Sequence, residues 1–276
     1  MKTCAIIVTY NPNIDEFYKY YQTNRQEVDY VIIVDNSEDL SIRKTLLSLN
    51  IDTNTEIIQL KENYGIAYAQ NVGIKKAQEL QKLQYLLFLD QDSLLLKGTL
   101  DQYKQSYKFL MKNYKVAALG IGNNQQSKEK FIEVNQIISS GTFSPIKVFD
   151  DIGYFDESLF IDFVEYDWCW RAKAKGYSIF SINDISLIHM RGNGVINILG
   201  FSMVLPSNIR LYYQYRNFLF LLHKAYVPLT WKIKMFIKMF IKIPLYFIYL
   251  PKRRKTFQYI LKGIRDYFFN KKGKID

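Results

Sequence analysis

The chain has 276 residues, 49% of them hydrophobic, enough for one large domain with a full core and an extension. Its net charge of +11 is uneven: from residue 201 on there are 16 Lys and Arg against 2 Asp and Glu, which leaves 21 against 24 in the first 200. That distribution excludes a chain-wide nucleic-acid footprint, and two distant cysteines, Cys4 and Cys169, exclude a disulfide framework or a CxxC zinc site and fit a reducing compartment.

In chain order, CAIIVTYNPN (4–13) reads as a buried strand running into an Asn11-Pro12 turn. Its apolar run is too short for a signal peptide. Residues 14–27 carry helical spacing, with Ile14, Phe17, Tyr18 and Tyr21 on one face. YVIIVDNSED (30–39) is a second buried strand and is followed by a helix through Leu49. TEIIQL (55–60) is a third strand, Ile66 to Leu80 a helix and Tyr85 to Leu89 a fourth strand. Strands alternating with helices predict an α/β fold with a mostly parallel central sheet and right-handed crossovers. Polar or turn residues close all four strands, and a parallel sheet places those ends on one rim, where open α/β folds keep their ligand crevice. A helix near 99–113, a strand at 116–122, a small-residue turn in IISSGTFSP (137–145) and a strand in 178–190 follow.

Two stretches carry chemistry. YLLFLDQDSLL (85–95) ends its apolar run at Asp90 and Asp92, and strand alternation points both carboxylates to one side. Carboxylates so close repel unless a cation sits between them; Mg²⁺ takes one or two carboxylates and fills its other positions with phosphates and water. The alternative is a turn in which one of them caps the next helix. GYFDESLFIDFVEYDWCWRAKAKGY (153–177) gathers Asp156, Asp162, Glu165 and Asp167 before a Trp-rich helix. Acids at a helix start favour the dipole, yet Asp162, Glu165 and Asp167 stand among large apolar residues, where a solvated acidic face would not.

VTYNP, VDNS, ENYGIAYAQNVGI, LDQDS, SSGT, GYFDE with EYDWCWRAKAKGY, a late His and YYQYRN occur in this order over about residues 3–220. The set resembles the inverting GT-A glycosyltransferases of family 2, and among them bacterial rhamnosyltransferases of surface polysaccharide synthesis. The resemblance implies a GT-A fold in which Thr9, Tyr10 and Asn11 lie along the nucleotide and Asp35 reads the pyrimidine base. Asn63, Gly65 and Asn71 border the nucleotide sugar and diphosphate. Asp90 and Asp92 form the metal-binding DxD pair for Mg²⁺ or Mn²⁺, with His189 matching a late metal-binding histidine. Glu165 falls where relatives carry the aspartate base of an ED motif, here Val164-Glu165, with Asp162 and Asp167 as its neighbours in the catalytic cluster. Arg216 in YYQYRN meets phosphate or pairs with an acid.

From residue 206 the chain reads as a basic helical extension of a catalytic domain spanning 1–205. In WKIKMFIKMFIKIPLYFIYLPKRRK (231–255), Lys234, Lys238 and Lys242 form one helical stripe opposed by Trp231, Met235, Phe236, Met239 and Phe240. The run is too interrupted to span a bilayer. It suits a helix lying on an anionic membrane, or one packed on the domain with a solvated lysine face. The expectation is therefore a metal-dependent, inverting glycosyltransferase peripheral on the cytoplasmic face of the cell membrane. It would move a sugar, L-rhamnose from dTDP-rhamnose at best, to a lipid-linked glycan. A hexosyl- or galactofuranosyltransferase using a UDP-sugar, and a non-catalytic membrane-associated subunit, are the alternatives. No nucleic-acid partner is expected, and the sequence sets no oligomeric state.

Overall fold

The computed structural model describes residues 1–122, 129–185, 187–189, 195–198, 201–204, 206–249 and 253–276. Its elements are β1 (Thr3–Thr9), α1 (Ile14–Glu27), β2 (Tyr30–Asp35), α2 (Leu40–Leu47), β3 (Thr55–Gln59), α3 (Ile66–Glu79), β4 (Tyr85–Asp90), β5 (Ser93–Leu95), α4 (Thr99–Leu110), β6 (Val116–Ile121), β7 (Phe131–Glu133) and β8 (Thr142–Pro145). They continue with α5 (Val148–Ile152), a 3₁₀ turn (Glu157–Leu159), α6 (Val164–Ala174), β9 (Ser178–Ile182), β10 (Leu187–His189), β11 (Val195–Ile198), β12 (Phe201–Val204), α7 (Asn208–Leu222), α8 (Leu229–Tyr249) and α9 (Arg253–Phe268).

The main sheet has the order β3-β2-β1-β4-β8-β6-β9-β7. Strands β3, β2, β1 and β4 are parallel, as are β6 and β9, whereas β8 runs against both β4 and β6. Strands β1, β2, β4 and β6 are buried on both faces, which is why their sequences are continuous apolar runs, whereas the edge strand β3 is half-buried. Alternation sorts their side chains. Ile6, Ile32, Val34, Leu86 and Phe88 join one core with α3, α5 and α6. Ala5, Ile7, Val31, Ile33, Leu87 and Leu89 join the other with α1 and α4. Asn13 and Asp39 cap α1 and α2 with side-chain oxygens. The segment read as one strand over 178–190 is two, β9 and β10; β10 pairs with β5 in a separate ribbon.

The helices after residue 206 are tied to the preceding part of the chain by Arg216 and Asn217 of α7. Arg216 is completely buried. Its guanidinium donates to the carbonyl oxygens of Ser158 and Leu159 (both 3.2 Å) and Gly273 (2.7 Å), and to Asn217 Oδ1. Asn217 Nδ2 donates to the carbonyls of Leu159 (2.9 Å), Ile161 (2.7 Å) and Asp162 (3.2 Å). The side chain expected to meet phosphate is instead a brace, because it sits on the face of α7 that packs inward.

Helix α8 divides its apolar residues between two faces. Trp231, Met235, Met239 and Ile243 recur every four residues and pack on α7. Ile233, Phe236, Ile237, Phe240 and Ile241 are each about half exposed or more. Phe236 and Phe240 thus part from Trp231, Met235 and Met239, with which the sequence pattern grouped them on one face. Among the described residues no helix is long and apolar enough to cross a membrane.

Replacing Arg216 by Lys removes the planar fork and leaves a buried carbonyl without a donor. The variant should lose on the order of 3 kcal/mol of unfolding free energy in urea; a loss below about 1 kcal/mol would show that the brace contributes little.

Candidate active site

The parallel register aligns Thr9 with Asp35, Asp35 with Gln59 and Val8 with Asp90, so the carboxyl ends of β1 to β4 share one rim. A cleft of about 580 Å³ opens above that rim. Tyr10, Asn63, Gly65, Asp90 and Asp92 line it, together with Asn36, Glu38, Arg210 and Lys274. Tyr10 is exposed, and its backbone N–H is held by Gln91 Oε1 at 2.8 Å. Asn63 Oδ1 accepts from Asn36 Nδ2 (2.8 Å) and from the Gly65 N–H (3.0 Å). Gly65 has a φ of +87°, and a Cβ there would lie 2.5 Å from the Phe160 carbonyl oxygen. Only glycine allows that approach.

Other expected nucleotide-binding residues lie beneath or beside the cleft. Thr9 and Asp35 are fully buried. The Asp35 carboxylate accepts from Thr9 Oγ1 and the Ser37 N–H (both 3.1 Å) and from Gln59 Nε2 (3.2 Å), partners that its place in the strand register supplies. Asn11 shapes the turn after β1, with its N–H on Ser37 Oγ at 2.7 Å. Asn71 is buried in α3, and its amide staples Phe155 and Glu157. With Arg216, these residues support the site and are not among the cleft's lining.

A second cavity of about 640 Å³ meets the first at Ile66, Asp90, Ile161 and Arg210. Its walls include Ser139, Ser140, Phe163 and Tyr166, and it holds Asp162 and Glu165. Phe160, Asp162 and Phe163 all have positive φ (67°, 64° and 66°), rare for residues with side chains. The three acids then divide. Asp162 grips Arg210 with both oxygens, at 2.5 and 3.2 Å. Asp167 is buried against Arg171 Nε (2.8 Å) and the Tyr226 hydroxyl (2.6 Å). Glu165, in the first turn of α6, makes no side-chain ion pair among the described residues. It backs onto an apolar pocket formed with Phe88, Phe149, Phe155 and Trp168. It keeps an edge open to the second cavity, but its surroundings are dry, and burial pushes its pKa up to about 7. Negative Asp90 and Asp162 push the same way; its own N–H and that of Ser139 pull down and lose.

Asp90 and Asp92 face one cleft, and a pair of carboxylates is the protein contribution that Mg²⁺ or Mn²⁺ shares with phosphates. No cluster of three or more His, Cys, Asp or Glu forms a ready cage among the described residues. The backbone of His189 pairs with Ser93; its side chain lies outside the described residues.

The Glycosyl transferase family 2 model matches residues 4–156, over half of the chain. The chain belongs to glycosyl transferase family 2. The match ends before Asp162, so it covers the strand-end side of the cleft with the DxD pair, but not Asp162, Glu165, Asp167 or the cleft residues Arg210 and Lys274. This glycosyltransferase is 29% identical over 253 residues to the dTDP-rhamnosyl transferase RfbF of Shigella flexneri, covering 83% of each chain. Among solved structures it superposes on residues 1–349 of S. aureus TarS in complex with UDP-GlcNAc (TM-score 0.58, 16% identity, 98% of this chain and 82% of that one). It spans 42% of a longer TarS chain (TM-score 0.53, 19% identity, 86% of this chain). GalNAc-T7 with UDP, GalNAc and Mn²⁺ aligns at a TM-score of 0.55 and 11% identity, over 79% of this chain and 50% of that one. These likenesses establish the GT-A fold.

The glycosyltransferase's lining residues Arg210, Asn36, Glu38 and Lys274 escape sequence reasoning. Arg210 lies six positions before Arg216 on the same helix, and only the packing of α7 tells which one faces the cleft.

Glu165 titrates higher in the folded chain than in the unfolded one, where an ordinary glutamate sits near 4.5. Folding therefore favours its protonated form, and the stability this contributes is present below the unfolded pKa and lost as pH rises through about 7. Glu165→Gln should unfold at higher urea than the natural chain at about pH 8 and at nearly the same urea at about pH 4. Equal midpoints at both would show that Glu165 is well solvated.

Proposed function

We propose that this glycosyltransferase transfers L-rhamnose from dTDP-rhamnose, with inversion, to a hydroxyl of a lipid-linked glycan at a membrane surface. The observation that carries the reaction is the meeting of two cavities at Asp90 and Arg210. The first has the DxD pair for the donor, and the second has Glu165 for an acceptor hydroxyl. The sugar rests on the relative named a dTDP-rhamnosyl transferase.

The acceptor enters the second cavity and presents its hydroxyl to Glu165. As the hydroxyl oxygen bonds to the anomeric carbon, its proton passes to Glu165 and the bond from that carbon to the diphosphate breaks. Nucleoside diphosphate leaves, and a single displacement inverts the centre. A base with a pKa near 7 is matched to neutral pH. Asp162 and Asp167 are engaged by arginines and serve position. Arg210 presents a guanidinium at the junction of the cavities, on the path of the departing charge. A divalent cation held by Asp90 and Asp92 would neutralise the leaving diphosphate.

Membrane association rests on α8, where exposed Ile233, Phe236, Ile237, Phe240 and Ile241 adjoin Lys234 and Lys238. Apolar side chains next to lysines suit an anionic headgroup region. Helices α7 and α9 pack on each other, so point variants on the outer face test this surface better than removal of the tail.

Nucleotide release assayed with dTDP-rhamnose beside UDP-hexoses should be fastest with dTDP-rhamnose. Glu165→Gln should lower turnover by about 10²–10⁴-fold with donor affinity nearly unchanged, and Asp92→Asn should lose donor binding in Mg²⁺. Preference for a UDP-hexose would replace the sugar, and full activity of both variants would refute the site. Separately, Phe236→Ser with Phe240→Ser should abolish co-sedimentation with anionic vesicles while leaving donor hydrolysis intact; undiminished vesicle binding would place the membrane surface elsewhere.

A further inference from the structure

The C-terminal segment Gly273–Ile275 returns to the donor cleft and forms part of its wall. Its anchors do not involve the Lys274 side chain. The Gly273 N–H donates to the Ser158 carbonyl (2.8 Å), and the Gly273 carbonyl accepts from Arg216 Nη1 (2.7 Å). The Ile275 N–H donates to the Tyr213 hydroxyl (2.9 Å). The Ile275 side chain packs on Phe160 and Tyr213, whose rings stack at 4.8 Å. Lys274 is therefore held from both sides, and its ammonium reaches across to Glu38 Oε1 (2.7 Å) and Glu62 Oε2 (3.5 Å).

Those ion pairs do not explain the arrangement as a stabilising device. Lys274, Glu38 and Glu62 are 41%, 44% and 56% exposed, and exposed pairs contribute little to stability. What the strap achieves is to fix a cation in the cleft wall. Sheet order tells which part of a donor it would meet. Along the rim, Glu62 follows β3, Glu38 follows β2, Tyr10 follows β1, and Asp90 and Asp92 close β4. The cleft runs from Asp90 and Asp92 to Asn36, Glu38 and Lys274, so a donor with its diphosphate at the two aspartates would lay its nucleoside toward β2 and β3, where Lys274 stands.

Resting on the nucleotide-sugar reading of this cleft, the geometry points to Lys274 as a donor-positioning residue that binds acceptor oxygens of the donor's nucleoside. An ammonium offers three donors and no acceptor, which suits the carbonyl oxygens of a pyrimidine. The ammonium exchanges its hold on Glu38 and Glu62 for those oxygens, and Glu38 keeps the Tyr10 hydroxyl at 3.2 Å as a partner.

The test is calorimetric titration of the full chain with dTDP and with dTMP in Mg²⁺, for the natural sequence, Lys274→Ala and Lys274→Arg. Lys274→Ala should bind both nucleotides about tenfold more weakly, with an unchanged melting temperature, and Lys274→Arg should recover part of the loss. In turnover the donor KM should rise while kcat holds. Natural-sequence binding with an unaltered Lys274→Ala would overturn this assignment alone. So would a loss confined to dTDP, which would place Lys274 at the phosphates. A natural chain that bound neither nucleotide would overturn the nucleotide reading of the cleft itself.

Discussion

The site depends on how the turn from Ser158 to Phe163 is held. Three of its residues have positive φ, and each such backbone costs on the order of 1–3 kcal/mol. The turn persists because its carbonyls are claimed from outside. Arg216 and Asn217 take those of Ser158, Leu159, Ile161 and Asp162, and the Ile66 N–H takes that of Phe160 at 2.8 Å. The absent side chain of Gly65 leaves room for Phe160 to come that close. Held in this way, the turn delivers Asp162 to Arg210 and starts α6 with Glu165 facing Asp90 across the second cavity. The brace also grips Gly273, so the turn beside the second cavity and the Lys274 wall of the first cleft share one buried arginine.

Within six residues, environment alone separates three carboxylates. Asp162 and Asp167 each meet a guanidinium, which fixes their orientation. Glu165 meets aromatic rings on one side and two carboxylates nearby, which favour the proton. A base needs this balance: dry enough to take a proton, yet open along one edge to the group that gives it up. The cost falls on stability at alkaline pH, where the buried charge opposes folding.

The first half of the fold was legible because parallel strands covered on both faces leave uninterrupted apolar runs, and each of the first four ends in polar residues at the shared rim. Tyr10, Asn63, Gly65, Asp90 and Asp92 lie at those ends and line the cleft. Asp35 and Asn71 could not be judged from sequence, since the same residue at a strand end or helix start can face a ligand or hold the backbone. Here Thr9, Ser37 and Gln59 claim the first, and Phe155 with Glu157 claims the second. Helix α7 shows the same ambiguity: its periodicity is clear, but its rotation against the turn, which exposes Arg210 and buries Arg216, is a tertiary result. Lys274 had no local signal at all, because its contact with Glu38 joins residues 236 positions apart.

The most direct test of Glu165 as the base is the pH dependence of kcat/KM, which reports the groups of the free enzyme. A base with a pKa near 7 gives a rate that rises with pH through about 7 and levels off above it. Glu165→Asp, intrinsically the stronger acid, should move that rise to lower pH, and Glu165→Gln should abolish it. A natural enzyme whose kcat/KM is flat across this range, or a Glu165→Gln enzyme that keeps the same rise, would contradict the account.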